Sequence, residues 1–179
     1  MNGIWTKQDA EHHQVSEKLA MWLSRNLPID KPVLDFGCGI GYYMGYLEQL
    51  CFDTIGIDGN DDIKIVCKNF IKQDLSKPFD LGAKGSVLSF ETMEHIPKQY
   101  EDIAVQNLVN HCDGFLIMSW ASVGQPGIGH INCQNKEYVI ELFGEYGFVL
   151  SAYRTIEARL NVDKNCDWFE RNLLVFTKD

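Results

Sequence analysis

The 179-residue sequence lacks several features that would place it in a class at once. No run of apolar residues is long enough to cross a bilayer, and Met1 to Lys7 carry no apolar signal core. We therefore expect a cytoplasmic protein that makes no membrane contact. The six cysteines form no C-x-x-C pair, which argues against a zinc site or a disulfide framework and favours reduced thiols.

Clusters of basic residues are absent as well. The chain has 16 Lys and Arg against 25 Asp and Glu, which gives a formal net charge of −9. Because an acidic surface repels a phosphate backbone, we expect no nucleic-acid substrate or partner. The sequence shows no repeat, low-complexity tract or linker, so a single domain over residues 1–179 is predicted.

The most informative segment is residues 33–42, VLDFGCGIGY. Its apolar start reads as a short buried strand that ends in an acidic residue, Asp35. Three glycines then alternate through a tight turn, and a helical pattern follows at once. Glycine lets a ligand approach the backbone closely, and a helix N-terminus offers free N–H groups to an anion. The segment therefore predicts a nucleotide-binding turn.

The spacing of the glycines decides between ligands. A dinucleotide turn reads G-x-G-x-x-G, but Tyr42 stands where the third glycine should fall, which disfavours an NAD-dependent oxidoreductase. A P-loop is also absent, because no Gly-Lys-Ser/Thr closes the turn. The string D-F-G-C-G-x-G resembles motif I of the class I S-adenosylmethionine-dependent methyltransferases. In that family the acidic residue and the glycine backbone hold the methionine end of the cofactor.

Two further acidic residues lie where this resemblance expects them. Asp58 ends the apolar run 54–58, about one βαβ unit after Asp35, where a carboxylate can accept both hydroxyls of a ribose. Asp74 and Leu75 match the end of the motif III strand, which contacts the adenine in the family. Each Asp could instead cap a helix or a turn, and these readings stay open.

A fourth segment, residues 87–97, reads VLSFETMEHIP. Its string E-x-x-E-H-I resembles motif IV of the small-molecule branch of the same family. The chain has neither the Asn/Asp-Pro-Pro-Tyr/Phe signature of exocyclic-nitrogen methylation nor a Pro-Cys pair for cytosine-carbon methylation. The resemblance as a whole implies cofactor contacts from Asp35, Gly37, Cys38, Gly39, Gly41, Tyr42, Asp58, Gly59, Asp74, Leu75 and Phe90.

Alternating strand and helix patterns predict an α/β fold. With the family resemblance, we expect a three-layer sandwich: a mostly parallel seven-stranded sheet, its last strand antiparallel, with helices on both faces. The N-terminal helical arm, 1–27, is expected to begin with a helix capped by Thr6 and Asp9. The segment 148–178 is expected to form two strands joined by a turn at 161–165. Earlier strands are expected near 33–36, 53–57, 69–73, 85–90 and 113–119, and helices near 41–51, 60–67, 98–112 and 135–145.

No appended substrate domain is predicted, so we expect substrate recognition to come from the N-terminal arm through His13, the loop after the fourth strand and the stretch 121–134. The glycine-rich stretch 121–134, with His, Asn and Gln after the fifth strand, is the expected substrate loop. Its polar groups suit a hydroxylated ligand, and substrate contacts are expected from Trp120, Asn132 and Gln134. Trp5, Trp120, Tyr42 and Tyr43 could supply aromatic faces for a sugar.

An alcohol acceptor needs a base at the moment of attack, and histidine is the natural base near neutral pH. His95 and His130 are both expected to face the cleft, with Glu91 as a further catalytic candidate. Glu91 and Glu94 could assist as a base or bind a metal, but the paired Asp/Asn pattern of catechol-type enzymes is absent, so no metal site is predicted. His12 and His13 could close over the cofactor.

These observations predict an S-adenosylmethionine-dependent methyltransferase that acts on a small hydroxylated acceptor. The favoured acceptor is a sugar hydroxyl of a glycan or nucleotide sugar. The string G-x-G-H-I-N at 127–132 is similar to small methyltransferases of phage and large-virus glycan gene sets. Two alternatives stay open. The acceptor could be a carboxylate, phenol or amine, or the chain could be a catalytically silent, cofactor-binding partner subunit.

Overall fold

The computed structural model describes residues 14–60 and 65–178, which form a seven-stranded sheet flanked by helices. The strands are β1 (Val33–Phe36), β2 (Thr54–Asp58), β3 (Phe70–Lys72), β4 (Gly85–Phe90), β5 (Cys112–Ser119), β6 (Phe148–Leu150) and β7 (Leu174–Lys178). Their order across the sheet is β3-β2-β1-β4-β5-β7-β6. The first five strands pair in parallel, whereas β7 runs antiparallel to both β5 and β6. The predicted α/β fold is thus confirmed.

Helices cover both faces of the sheet. Within the described residues, none of them is long and apolar enough to cross a bilayer. Short 3₁₀ turns cover Met93–His95, Lys98–Tyr100 and Lys164–Cys166. The α-helices are α1 (Glu17–Asn26), α2 (Tyr42–Gln49), α3 (Glu101–His111), α4 (Lys136–Gly144), α5 (Ala152–Leu160) and α6 (Trp168–Asn172).

Neighbouring residues of the buried strands point into two separate apolar layers. Val33 of β1 packs with α1, α2, α5 and α6, whereas the next residue, Leu34, packs with α3 and α4. Leu88 and Val87 of β4 divide in the same way. This alternation follows from the two-residue period of a strand. It explains why the central strands are apolar throughout, since both of their faces are covered.

The N-terminal part of the chain is described only from residue 14. Helix α1 begins at Glu17, with Ser16 as its N-cap: the Ser16 hydroxyl accepts a hydrogen bond from the Leu19 amide at 3.2 Å. The expected cap residues Thr6 and Asp9 lie outside the described residues, as do Trp5, His12 and His13. Most of the helix predicted over 60–67 also lies outside them, and its described end, 65–67, is not helical.

Two antiparallel strands form within 148–178 as predicted, but the predicted turn at 161–165 is wrong, because helices α5 and α6 lie between β6 and β7. The apolar side chains Tyr153 and Ile156 are exposed on α5. The opposite face of this helix holds β7, since the Thr155 hydroxyl accepts a hydrogen bond from the Val175 amide at 3.0 Å. Arg159 likewise donates to the Leu173 carbonyl at 2.9 Å.

Candidate functional site

A cavity of about 730 Å³ opens at the carboxyl edge of the sheet. Parallel strands end at the same edge, so the loops that follow β1 to β5 meet there. The cavity is therefore where ligand binding is expected in this architecture. The predicted site residues that line it are Gly37, Gly39, Asp58, Gly59, Asp74, Leu75, Phe90, Glu91, His95 and His130.

The glycine turn after β1 is held tightly between β2 and the segment after β4. Gly37 has φ +84°, and its amide donates to the Ile57 carbonyl at 2.8 Å. A Cβ on Gly37 would lie 2.2 Å from the Thr92 hydroxyl oxygen, closer than any van der Waals contact. Gly41 has φ +77° and precedes the first residue of α2. The turn therefore requires glycine both for its conformation and for space.

Asp58 connects the end of β2 to the glycine turn. One oxygen of its carboxylate accepts a hydrogen bond from the Gly39 amide at 2.9 Å, and the other accepts one from the Asn60 amide, also at 2.9 Å. Burial raises the pKa of this carboxyl, and the hydrogen bonds from Asn60, Gly39 and Gly59 oppose that rise. The side chain is thus fixed at the cavity wall as an acceptor group.

Asp74 lies in the turn that follows β3. Its carboxylate accepts hydrogen bonds from the Ser76 hydroxyl at 2.6 Å and the Ser76 amide at 3.0 Å, and Lys77 lies 3.3 Å away. Burial raises the pKa of this carboxyl, but the Ser76 hydrogen bonds and Lys77 outweigh burial and hold the pKa below its usual value. Leu75 beside it is buried and forms an apolar part of the wall.

The remaining predicted cofactor residues, Asp35, Cys38, Gly41 and Tyr42, support the turn from outside the cavity lining. Asp35 is 2% exposed within β1, where burial, followed by the charges of Asp58 and Cys67, raises its pKa to about 7. Cys38 is buried at the start of the turn.

Tyr42 does not line the cavity and packs edge-on against its neighbour Tyr43, with 5.5 Å between the ring centroids. Tyr43, which was expected only as an aromatic face for a sugar, lines the cavity. Its hydroxyl accepts a hydrogen bond from the Ser16 amide at 3.2 Å, so α1 holds this ring in place.

Glu91 follows β4 with an unusual backbone φ of +47°. Its amide donates to the Ser119 hydroxyl at 2.9 Å, and its carboxylate accepts a hydrogen bond from Gln125 at 2.6 Å. Burial raises the pKa of the Glu91 carboxyl against these hydrogen bonds. A non-glycine residue in the left-handed region marks stored strain, which is typical of functional positions.

His95 and His130 come together beneath the loop 121–134. Their ring centroids are 5.1 Å apart with nearly perpendicular planes, and Nδ1 of His95 lies 3.1 Å from the Gly129 carbonyl oxygen. Glu94 is fully buried beside them, with Oε1 3.8 Å from Nε2 of His130. The structure therefore brings together the two predicted catalytic histidines, together with a carboxylate for which the sequence suggested only an alternative role.

The predicted substrate residues Trp120, Asn132 and Gln134 hold the loop rather than line the cavity. The Trp120 indole donates to the Asn132 carbonyl at 2.6 Å, and the Asn132 side chain donates to the buried Glu101 at 2.8 Å. Gln134 in turn donates to the Asn132 side chain at 2.8 Å. Substrate contact by these three residues stays a prediction, and the structure gives each of them a role within the loop.

Several cavity residues were not found from the sequence. Gln125 bridges two elements, because its amide donates to Glu91 and accepts from Asn172 on α6 at 2.5 Å. Trp168 and Phe169, also on α6, form an aromatic wall. These residues come from a segment that was expected to be a strand, so no local signal pointed to the cavity. For Gln125, the only indication of a site residue in the sequence was its position in the polar loop 121–134.

Comparison with known proteins decides the family. A family model described as a methyltransferase domain matches residues 12–113. The chain belongs to this methyltransferase family. Its cofactor is S-adenosylmethionine, which solved neighbours of this class hold as SAM or SAH. The cavity fits such a cofactor, because it combines a glycine turn without room for a Cβ at Gly37 with the acceptor carboxylate of Asp58.

Three solved methyltransferases share the fold. A TehB-like methyltransferase from Corynebacterium glutamicum has a TM-score of 0.67 and 19% identity, over 95% of this chain and 92% of its own. The sugar N-methyltransferase KedS8 from Streptoalloteichus has a TM-score of 0.67 and 15% identity, over 90% and 87%. The magnesium protoporphyrin IX methyltransferase from Synechocystis has a TM-score of 0.63 and 20% identity, over 97% and 83%.

A sequence relative is the tRNA (carboxymethyluridine(34)-5-O)-methyltransferase alkbh8 of Xenopus tropicalis, 32% identical over 90 residues. The match spans 47% of this methyltransferase chain and only 14% of the relative. The similarity is thus confined to a small part of a much longer protein.

Proposed function

We propose that this methyltransferase transfers a methyl group to a hydroxyl of a small acceptor, with a sugar hydroxyl of a glycan or nucleotide sugar as the first candidate. The observation that carries the proposal is the meeting of Glu91, His95 and His130 at one side of the cavity. An aliphatic alcohol is not ionised near neutral pH, so its methylation needs such groups. A methyltransferase for an ionised acceptor has no need of them.

The part of the cavity formed by the glycine turn, Asp58, Asp74 and Leu75, here called the cofactor half, is assigned to S-adenosylmethionine. We assign the glycine turn to the methionine end, Asp58 to the ribose hydroxyls, and Asp74 with Leu75 to the adenine. Bound S-adenosylmethionine supplies a methyl group on a sulfonium, which is already a good leaving group. The protein therefore has to align the acceptor oxygen with the methyl carbon and exclude water.

The acceptor half lies under the loop 121–134. Gln125 offers a side-chain amide there, and the rings of Tyr43 and Trp168 offer apolar faces. Amide groups together with aromatic faces suit a sugar, which presents both hydroxyls and C–H surfaces. KedS8, a fold neighbour, is named as a sugar N-methyltransferase, and this name supports a sugar as the first acceptor to test. The net charge of −9 makes a nucleic-acid acceptor unfavourable.

The cluster can activate a hydroxyl in two ways. In the first, the imidazole of His95 or His130 takes the hydroxyl proton, with Glu91 as the next candidate for the base. In the second, Glu94 and the two histidines hold a cation that lowers the pKa of the hydroxyl. Both ways serve the same overall reaction.

A carboxylate, phenol or amine acceptor is the second candidate. The relative named as a carboxymethyluridine methyltransferase favours it, although only over 90 residues. An acceptor of this kind that ionises unaided would make the histidines dispensable for turnover.

The test is a screen of nucleotide sugars, simple glycans, phenols, carboxylic acids and amines for mass gain with labelled S-adenosylmethionine. Methylation of a sugar hydroxyl supports the proposal, and methylation of acids, phenols or amines alone contradicts it. The matched control is Asp58→Ala, which leaves the acceptor half intact. If Asp58 holds the ribose, this variant should lose turnover through weaker cofactor binding, and excess cofactor should restore it.

A further inference from the structure

Glu94 is an exceptional residue in this chain. Its side chain is fully buried, and neither oxygen of its carboxyl group makes a hydrogen bond of normal geometry to a described residue. Burial raises the pKa of this carboxyl, although the backbone N–H groups of Glu94 and Ala121 lie close enough to oppose that rise. Buried polar atoms are nearly always paired, and a buried carboxylate without a partner is costly. By contrast, the buried carboxylate of Glu101 accepts hydrogen bonds from Lys98, Asn132 and Tyr138. The Glu94 carboxyl thus lacks a well-formed hydrogen bond or ion pair that would offset its burial.

Two imidazoles lie next to this carboxyl group. One donor atom from each of Glu94, His95 and His130 can be chosen so that all three lie within 4.8 Å of one another. Oε1 of Glu94 lies 3.8 Å from Nε2 of His130, which is too long for a hydrogen bond. A small inward movement of the side chains would bring all three donors within bonding distance of a single central ion.

A hydrogen bond to the Gly129 carbonyl fixes the orientation of the His95 ring. Its Nδ1 lies 3.1 Å from the Gly129 carbonyl oxygen, which can only accept, so Nδ1 carries the proton of this hydrogen bond. The neutral ring then carries its lone pair on Nε2. A histidine whose second nitrogen donates to a backbone carbonyl is the usual arrangement of a metal ligand.

We propose that Glu94, His95 and His130 bind a divalent first-row transition cation at the acceptor side of the cavity. Two imidazoles and one carboxylate suit Zn²⁺, Mn²⁺ or Fe²⁺ and leave coordination positions open. No metal site was predicted from the sequence, because Glu94 and His95 belong to one motif whereas His130 follows a different strand. Only the fold brings the three side chains together.

The role of the ion rests on the proposed function. Oxygens of a hydroxylated acceptor occupy the open positions, and coordination lowers the pKa of the attacking hydroxyl. The two histidines are then ligands, and the hydroxyl proton passes to the carboxylate of Glu91, which lies in the same cavity wall. The oxygen–methyl bond forms as the methyl–sulfur bond breaks, and the products are the methyl ether, S-adenosylhomocysteine and a proton.

The direct test is calorimetry of the full chain, freed of metal with a chelator, against Zn²⁺ and Mn²⁺. One equivalent should bind, and Co²⁺ should give a visible absorption band with imidazole ligation. Glu94→Gln and His130→Ala should each weaken binding at least tenfold. The control is Asp80→Asn, because the exposed Asp80 lies 3.7 Å from Nε2 of His111 in a comparable pair that lacks a second histidine.

A second variant alters the geometry of the site and keeps all three ligands. A Cβ on Gly127 would lie 2.1 Å from Nε2 of His130, so Gly127→Ala should displace this ring and weaken metal binding. Gly144→Ala is the control, because its Cβ meets nothing within 4 Å. Each variant is first checked for a cooperative unfolding transition.

The outcomes separate this inference from the proposed function. No stoichiometric binding by the wild-type chain, or equal binding by Glu94→Gln, overturns the metal site, and the reaction would then rest on a histidine base. A bound metal without methylation of any hydroxyl acceptor leaves the metal site standing and overturns the proposed function.

Discussion

Replacing Gly37 by alanine tests whether the glycine turn is limited by space as well as by conformation. Gly37 has φ +84°, and an added Cβ would lie 2.2 Å and 2.3 Å from the Thr92 hydroxyl oxygen and methyl carbon. The turn forms part of the cavity wall, so its displacement should be read out both in stability and in cofactor affinity.

The magnitude can be built from two contributions. A left-handed backbone costs a non-glycine residue about 1–2 kcal/mol. Forcing a methyl group into occupied space costs roughly a further 1–3 kcal/mol, because the neighbours have to move. Gly37→Ala should therefore lower the free energy of unfolding by about 2–5 kcal/mol. Gly147→Ala, with φ +79° and nothing within 4 Å of its Cβ, should cost only the first contribution.

The assay is urea unfolding of both variants, combined with calorimetric binding of S-adenosylhomocysteine. Gly37→Ala should lose both stability and affinity, whereas Gly147→Ala should keep normal affinity. Truncating Thr92 to alanine in the Gly37→Ala background removes the two nearest atoms and should restore part of the loss. If both glycine variants lose the same stability and the same affinity, the spatial argument is wrong.

Three further predictions follow from the site. Asp58→Ala should weaken S-adenosylhomocysteine binding by about 1–3 kcal/mol in calorimetry, and unchanged affinity would refute its assignment to the ribose. The pKa of Asp35 is raised from 3.8 to about 7, so the folded state binds this proton more tightly than the unfolded state does. The free energy of unfolding should therefore fall as pH rises from about 4 to about 7. Asp35→Asn should therefore gain about 2–3 kcal/mol relative to wild type between pH 5 and pH 8 in urea unfolding, and a constant difference would contradict the shift. Glu101→Gln should weaken the anchoring of Asn132 and lower turnover more than cofactor affinity, and equal losses of both would argue for general unfolding instead.

The cofactor half of the site could be predicted from the sequence because its chemistry is local. Gly37 and Gly39 follow their strand directly, and Asp58 ends the next one, so each residue is placed by its own short motif. The parallel sheet then brings these motifs to one edge without further information. Their cofactor contacts stay predictions, but their positions in the cavity are as expected.

The acceptor half depends on contacts between residues far apart in the chain. Asn132 and Trp120 looked like substrate residues because polar and aromatic groups in a loop suggest binding. Instead, the buried carboxylate of Glu101, about thirty residues earlier, takes the Asn132 side chain. The same loop carries His130 to Glu94. No local pattern distinguishes a loop residue that faces inward to anchor the loop from one that faces a ligand.

The position of β7 between β5 and β6 also has a consequence for the order of folding. Among the described strands, β6 pairs with β7 alone, so β6 can join the sheet only once β7 has paired with β5. That pairing joins Phe115 to Thr177 and closes a loop containing three helices. Closing so long a loop costs conformational entropy before the contacts between β5 and β7 can form, and this slows folding. Until β7 pairs with it, the edge of β5 that includes Ile117 exposes unpaired backbone groups and apolar side chains. Newly synthesised chains should therefore be most prone to aggregate through this edge.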